Sequence, residues 1–576
     1  MQNCLLTSAA ALCFIAFPAY GSESRAAENG QSASTSTRQP EADRKRLEAD
    51  LRYLADDSLE GREAGTTGYA LAAGYVAGQY AALNMLPAGT DGTYFQAVPM
   101  VSSKLEFGGR TKLDIKDAAG AAIFPAGSAG DDYFIFPRLG EVSGDIEGDL
   151  VFVGYGFASD GYKQDDFANI DLTGKIAVIL RGGPNSLNSE ERAHFGATIS
   201  ERISERGAIG AITLITPEDT AQVPFERIKD YFRGNFMTWA DRNGVAFIKS
   251  PAIRGTAFLS PAMSEALFKG QQTSWADVTM YKAGEREILP SFEMGLTARM
   301  VGQAIVGTST SPNVIGMVPG TDPAVADEYV VITAHLDHTG KVPTPEEGDD
   351  KINNGAMDNA TGVASMLEAA RILQNNPGRR PVVFIALTAE EKGLVGADYF
   401  ARNPTLGSGQ VVANINLDMP ILTYEFTDVI AFGAERSTLF PEVEAAAASR
   451  GISLSPDPVP EEGSFTRSDQ YRFVEQGVPA VYLATGWANG GKEAQKDFLA
   501  NHYHRVSDEA SLVDFEQLGR FTDVNYAIIR NIANMAQKPV WKAGDFFAKT
   551  FAGETEEQAG SEKSRQDIAP ATVTWK

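Results

Sequence analysis

Five residues able to bind a metal fall at comparable places along the second half of the chain: His335, Asp358, Glu391, Asp418 and His504. His335 ends the apolar run EYVVITA, Glu390 and Glu391 end RRPVVFIALTA, and Asp418 ends VVANINL. Asp358 sits in the loop GAMDNATG before a helical pattern, and His504 follows a Gly-rich loop after VPAVYLA. Several carboxylates gathered in one place repel one another and raise one another's pKa unless a cation neutralises them. Imidazole and carboxylate without sulfur suit zinc, with cobalt or manganese as substitutes. A carboxylate between two cations about 3.5 to 4 Å apart can bridge them, and such a pair lowers the pKa of a shared water toward about 7. Adjacent Glu390 and Glu391 divide the labour, because alternation along a strand turns one toward metal and the other toward the water.

These residues converge only if the apolar runs are strands of one sheet. Each run fits a strand buried on both faces, and amphipathic segments separate them. One is TGVASMLEAARIL, with Val363, Met366, Leu367, Ala370 and Leu373 in one stripe. Strands alternating with helices predict an α/β fold with a mainly parallel, doubly wound sheet, in which ligands bind beyond the carboxyl ends of the strands.

The stretches AHLDH, GAMDNATG, TAEEKGLVGA, NLDM, SDQYRFVEQGVPA and NHYHRVSDE resemble the co-catalytic di-zinc aminopeptidases, a family that includes glutamate carboxypeptidase. LEGREAGTTGY and GTYFQ resemble its bacterial members. The resemblance implies two Zn2+ ions per chain bridged by Asp358, with His335 and Asp418 on one and Glu391 and His504 on the other. It implies that Asp337 holds the second ring nitrogen of His335, that Glu390 is the general base, and that Tyr503 steadies the oxyanion. It further implies peptide substrates cleaved at the N-terminal residue. A carboxypeptidase is the alternative, with Arg467 or Arg505 clamping a terminal carboxylate. A non-catalytic receptor on this scaffold would have lost ligands or base, and here none is missing.

His338 and His502 adjoin predicted ligands and are read either as supporting groups or as exposed side chains. Taken alone, Asp358 reads as a helix cap. Relatives often carry His after the Asp of the SDQ segment, where this chain has Gln470. Asp56, Asp57 and Arg62 read as structural residues.

The remainder of the 576 residues sets the context. Residues 1–21 read as a signal peptide, which implies a periplasmic or secreted protein, and 22–42 as a disordered linker. Cys4 and Cys13, the only cysteines, lie inside the leader, so disulfides and thiolate sites are excluded downstream. A net charge of −25 argues against nucleic acid as a partner. No later run is apolar for about 18 residues, so no stable membrane insertion is expected once the leader is removed. Residues 43–143 read as the N-terminal part of the peptidase, opening with two helices. Residues 144–289 read as a largely β insertion with one or two helices, resembling a protease-associated domain, with strands at GDLVFVGYGF, GKIAVILRGG, GAIGAITLI and GVAFIKS. Residues 290–545 read as the di-zinc peptidase domain and 546–576 as a polar tail.

Overall fold

The computed structural model describes residues 40–124, 127–159, 162, 164–342 and 350–553. The expected signal peptide and nearly all of the linker lie outside the described residues, as does the tail from 554 onward. No helix of the described residues is long and apolar enough to cross a membrane.

The four anticipated strands of the site region are present. Glu328–His335 pairs in parallel with Val382–Leu387 on one side and Gln410–Asn416 on the other, and Gln410–Asn416 pairs in parallel with Ala480–Thr485. Alternate residues serve two cores, as pleating requires. Val330, Ile332 and Ala334 pack with the helices Arg44–Leu54, Thr67–Ala82, Thr361–Asn375 and Phe515–Asn534. Val331, Val383 and Ile385 face the other way, toward Phe400 and Phe473. The sheet is therefore wrapped on both faces.

Local sequence explains the first helix. Asp43 accepts hydrogen bonds from the backbone N–H groups of Lys45 and Arg46, and Leu47, Leu51 and Leu54 form the buried stripe. A cap of this kind is worth about 1 kcal/mol and each buried leucine about 1.5 to 3 kcal/mol. The helix over Thr361–Asn375 is buried well beyond its expected stripe, down to Glu368.

One strand, Phe292–Val318, spans both regions of the sheet. Its end pairs antiparallel with Val382–Leu387, and its beginning pairs antiparallel with Ser143–Phe152. From there Ile176–Leu180, Gly210–Leu214 and Gly255–Leu259 continue in parallel, and Tyr133–Pro137 closes the edge antiparallel. Three details differ from expectation. GVAFIKS is not a strand; the strands on either side of it are Asn235–Trp239, which pairs with Phe95–Glu106, and Gly255–Leu259. Among the described residues, 144–289 carry six short helices rather than one or two, and two of them begin with reciprocal capping boxes, Thr216 with Asp219 and Ser274 with Asp277. Chain order also extends beyond Trp541, since Phe546–Phe551 is a helix capped by Asp545, with Phe547 buried.

Candidate metal centre

The strand ends deliver their side chains to one place. His335 is the last residue of its strand, Glu390 and Glu391 follow Val382–Leu387, and Asp418 follows Gln410–Asn416. His335 Nε2 lies 3.0 Å from Asp418 Oδ1 and 3.2 Å from Asp358 Oδ1. His504 Nε2 lies 3.3 Å from Asp358 Oδ2 and 3.1 Å from Glu391 Oε2. Asp358 is buried between the two histidines, one oxygen toward each. It does not cap the helix that follows; Asn359 Oδ1 accepts the Gly362 N–H instead.

Aligning Asp358 takes help from the C-terminal side. The buried Asp508 carboxylate accepts the backbone N–H groups of Met357 and Asp358 at 2.8 and 3.1 Å. His504 itself has a positive φ of 56°. That left-handed turn after the helix Gly491–Asn501 directs the ring back over the strand ends. Ser468 donates to Asp418 Oδ2 and accepts from Asn416 Nδ2, whose second contact is the Gln470 side-chain oxygen. Gln470 therefore supports the loop that braces Asp418.

Asp337 acts differently from expectation. The contact of His335 Nδ1 is the backbone oxygen of Asp337, at 3.0 Å, while the Asp337 carboxylate accepts the N–H groups of Glu390 and Glu391 at 3.0 and 3.3 Å. Its carboxylate is engaged in tying two strand ends together, and the carbonyl next to His335 is nearer to the ring.

Arg62, read as a structural residue, takes a structural role whose partners the sequence did not show. Fully buried, it donates through Nε to Leu336 O at 2.9 Å and through its terminal nitrogens to Asn354 O at 2.7 Å and Gly355 O at 3.0 Å, with a further short contact to Leu54 O. One side chain from the N-terminal loop thus clamps the loops on which His335 and Asp358 lie. Its acceptors are all backbone carbonyls, which a sequence does not display. His338, also buried, places Nδ1 2.8 Å from Glu391 Oε1. His502 turns away, its Nδ1 3.0 Å from Ser507 Oγ.

Electrostatics set the carboxylates against one another. Burial pushes the Asp358 carboxyl up, yet hydrogen bonds from His335 and His504 outweigh it and hold the group well below the usual range. Burial raises Glu390 well above the ordinary carboxyl value; His335 opposes this, while Glu391 and Asp418 reinforce it. Asp469, with neither oxygen hydrogen-bonded, is pushed up to about 8, mainly by burial. A donor set of two histidines and three carboxylates, surrounded by further acids, fits divalent cations, because added positive charge relieves these conflicts.

Glu390 and Tyr503 line the cleft of about 730 Å³ above these groups, with Tyr503 stacked on His504 at a centroid distance of 3.8 Å. Met419, Ile430, Phe432 and Tyr482 give the cleft an apolar side. Arg467 also lines it, but is engaged by Glu462 at 2.9 Å; Arg505 is exposed and does not line it.

Comparison with known proteins gives this geometry a context. Aminopeptidase YwaD of Bacillus subtilis is 27% identical over 237 residues, covering 40% of this chain and 46% of that protein. A probable zinc metalloprotease of Pyrenophora tritici-repentis is 39% identical over 93 residues, covering 16% of this chain and 21% of that protein. The chain thus spans less than half the length of these curated relatives. An aminopeptidase structure from Aneurinibacillus sp. strain AM-1 aligns over 88% of this chain and 97% of its own at 20% identity, with a TM-score of 0.47. The model of peptidase family M28 matches residues 313–529. His335, Asp358, Glu390, Glu391, Asp418 and His504 all fall within the segment that matches the peptidase family M28 model.

Proposed function

We propose that the chain is a periplasmic or secreted aminopeptidase with two zinc ions, which removes N-terminal residues from peptides. The observation that carries this reading is the division of Asp358, whose Oδ1 faces His335 and whose Oδ2 faces His504. A carboxylate split in this way suits a bridge between two ions, one held with His335 and Asp418 and the other with Glu391 and His504. When bound, zinc supplies Lewis acidity toward the scissile carbonyl and lowers the pKa of a water toward about 7.

The protein's own groups do the rest. Glu390 projects into the cleft with a raised proton affinity, which suits a carboxylate that takes a proton from water and returns it to the leaving amine. Tyr503 lines the same space, and its hydroxyl is the candidate donor to the developing oxyanion. The apolar side of the cleft suits a hydrophobic first side chain. In this reading residues 144–289 form a protease-associated domain walling the substrate path, and residues 1–21 are the export signal.

The test measures metal content alongside hydrolysis of aminoacyl anilides, N-blocked peptides and C-terminal dipeptides, for wild type and Glu390→Ala. Two zinc ions per chain, anilide turnover lost in the variant and no cleavage of blocked peptides are expected. Activity confined to free C-termini would favour a carboxypeptidase, and absence of bound metal would overturn the proposal.

A further inference from the structure

We infer that His338 is a positioning residue that holds one oxygen of Glu391, so that this glutamate offers its metal the other oxygen alone. The inference rests on the metal-centre reading above. The two oxygens of Glu391 face different histidines: Oε2 is 3.1 Å from His504 Nε2, and Oε1 is 2.8 Å from His338 Nδ1. His338 is fully buried, and among the described residues neither of its nitrogens nor Glu391 Oε1 forms a hydrogen bond, so the 2.8 Å approach of Nδ1 to Oε1 is the contact through which each can satisfy the other. The contact is selective, because the nearest oxygen of Asp358 is 3.9 Å from the same nitrogen.

The surroundings make room for the ring and fix its backbone. A Cβ added to Gly355 would lie 2.5 Å from His338 Cγ, so the loop leading to Asp358 admits the imidazole only because glycine stands there. The His338 N–H points to the Arg62 carbonyl at 3.3 Å, which ties the residue to the clamp already described.

The chemical consequence concerns coordination number. A glutamate can bind a metal through one oxygen or both, and one whose Oε1 lone pairs face an N–H donor has only Oε2 to give. With a metal held there, this would keep a position open for water or a substrate carbonyl. Without the donor, Oε1 can turn inward and fill that position.

The experiment uses the full chain loaded with cobalt(II), as wild type, His338→Ala and His338→Gln, and reads metal stoichiometry, chelator competition and the visible absorption of the cobalt. In His338→Ala, affinity at one of the two sites is expected to change by about 10- to 100-fold. Its visible bands are expected to weaken as the cobalt gains a ligand, with recovery toward wild type in His338→Gln, whose amide can donate to Glu391. An unchanged spectrum and affinity in His338→Ala would overturn the inference, as would equal spectral changes in both variants, which would mark His338 as packing alone. Should His338→Ala fail to fold, a wild-type-like spectrum in His338→Gln supports the inference and an altered one overturns it. Failure of wild type to bind two metal ions would instead overturn the metal-centre reading itself, and this inference with it.

Discussion

The strands ending at His335, Leu387 and Asn416 and those ending at Phe152, Leu180 and Leu214 are built alike. Within each group neighbouring strands pair in parallel, and both groups send alternate side chains into separate cores, here around Val330 and Val331, there around Phe152 and Val151. They even belong to one sheet, joined through Phe292–Val318. Yet the first group carries His335 at one end and Glu390, Glu391 and Asp418 within a few residues beyond the others, while the second runs into Val153-Gly154-Tyr155, Arg181-Gly182-Gly183 and Ile215-Thr216-Pro217. Parallel strands provide a place where chemistry can be mounted; the residues beyond their ends decide whether it is.

That contrast can be attacked from both sides. The largest expected effect is on the chemical side: Glu390→Gln should lower kcat by about 10²- to 10⁴-fold with two metals still bound. Retained activity would remove the functional distinction between the two regions. Next, Arg62→Met should destabilise the fold by about 3 to 5 kcal/mol, since it leaves several buried carbonyls unpaired. Thermal unfolding and metal content should fall together; a loss of stability with metal affinity intact would mean that the clamp serves the fold alone.

On the silent side, burial lowers the pKa of His194 to about 4, with Arg202 adding to the effect. The unfolded chain takes up this proton near pH 6.5 and the folded protein only near 4, so stability should decline as the pH falls between those values. The contribution is on the order of 3 kcal/mol. His194→Phe should flatten that part of the profile of unfolding midpoint against pH without altering catalysis at neutral pH. The smallest effect sharpens the comparison: Lys341→Met, which breaks an exposed pair with Glu60 near the clamp, should shift stability by no more than about 1 kcal/mol.

Much of the metal centre was legible because its members stand at fixed offsets from apolar runs too short for helices and flanked by turns. His335, Glu391 and Asp418 could be placed on a sheet edge without coordinates. What escaped reading was whatever acts through the backbone. Arg62 reaches carbonyls some 274 to 293 residues away, and Asp508 accepts two N–H groups about 150 residues earlier. Neither leaves a periodic trace. The resemblance implied that Asp337 holds His335, whereas its carboxylate accepts the backbone N–H groups of Glu390 and Glu391 just beyond the adjoining strand. The helices of 144–289 were underestimated because each is only six to nine residues long, too short for a convincing apolar stripe, although Thr216-Pro-Glu-Asp219 and Ser274-Trp-Ala-Asp277 carry their start signals.

The clamp of Arg62 and the brace of Asp508 also impose an order on synthesis. Chains emerge at about 5 to 20 residues per second, so roughly tens of seconds separate translation of Arg62 from that of Asp508. Through that interval His335 and Asp358 lack one of the groups that align them, and His504 has not been made. A nascent chain is thus denied a finished centre until His504 and Asp508 have emerged from the ribosome, and under the proposed function this would restrain it from acting on its neighbours while those residues are still unmade.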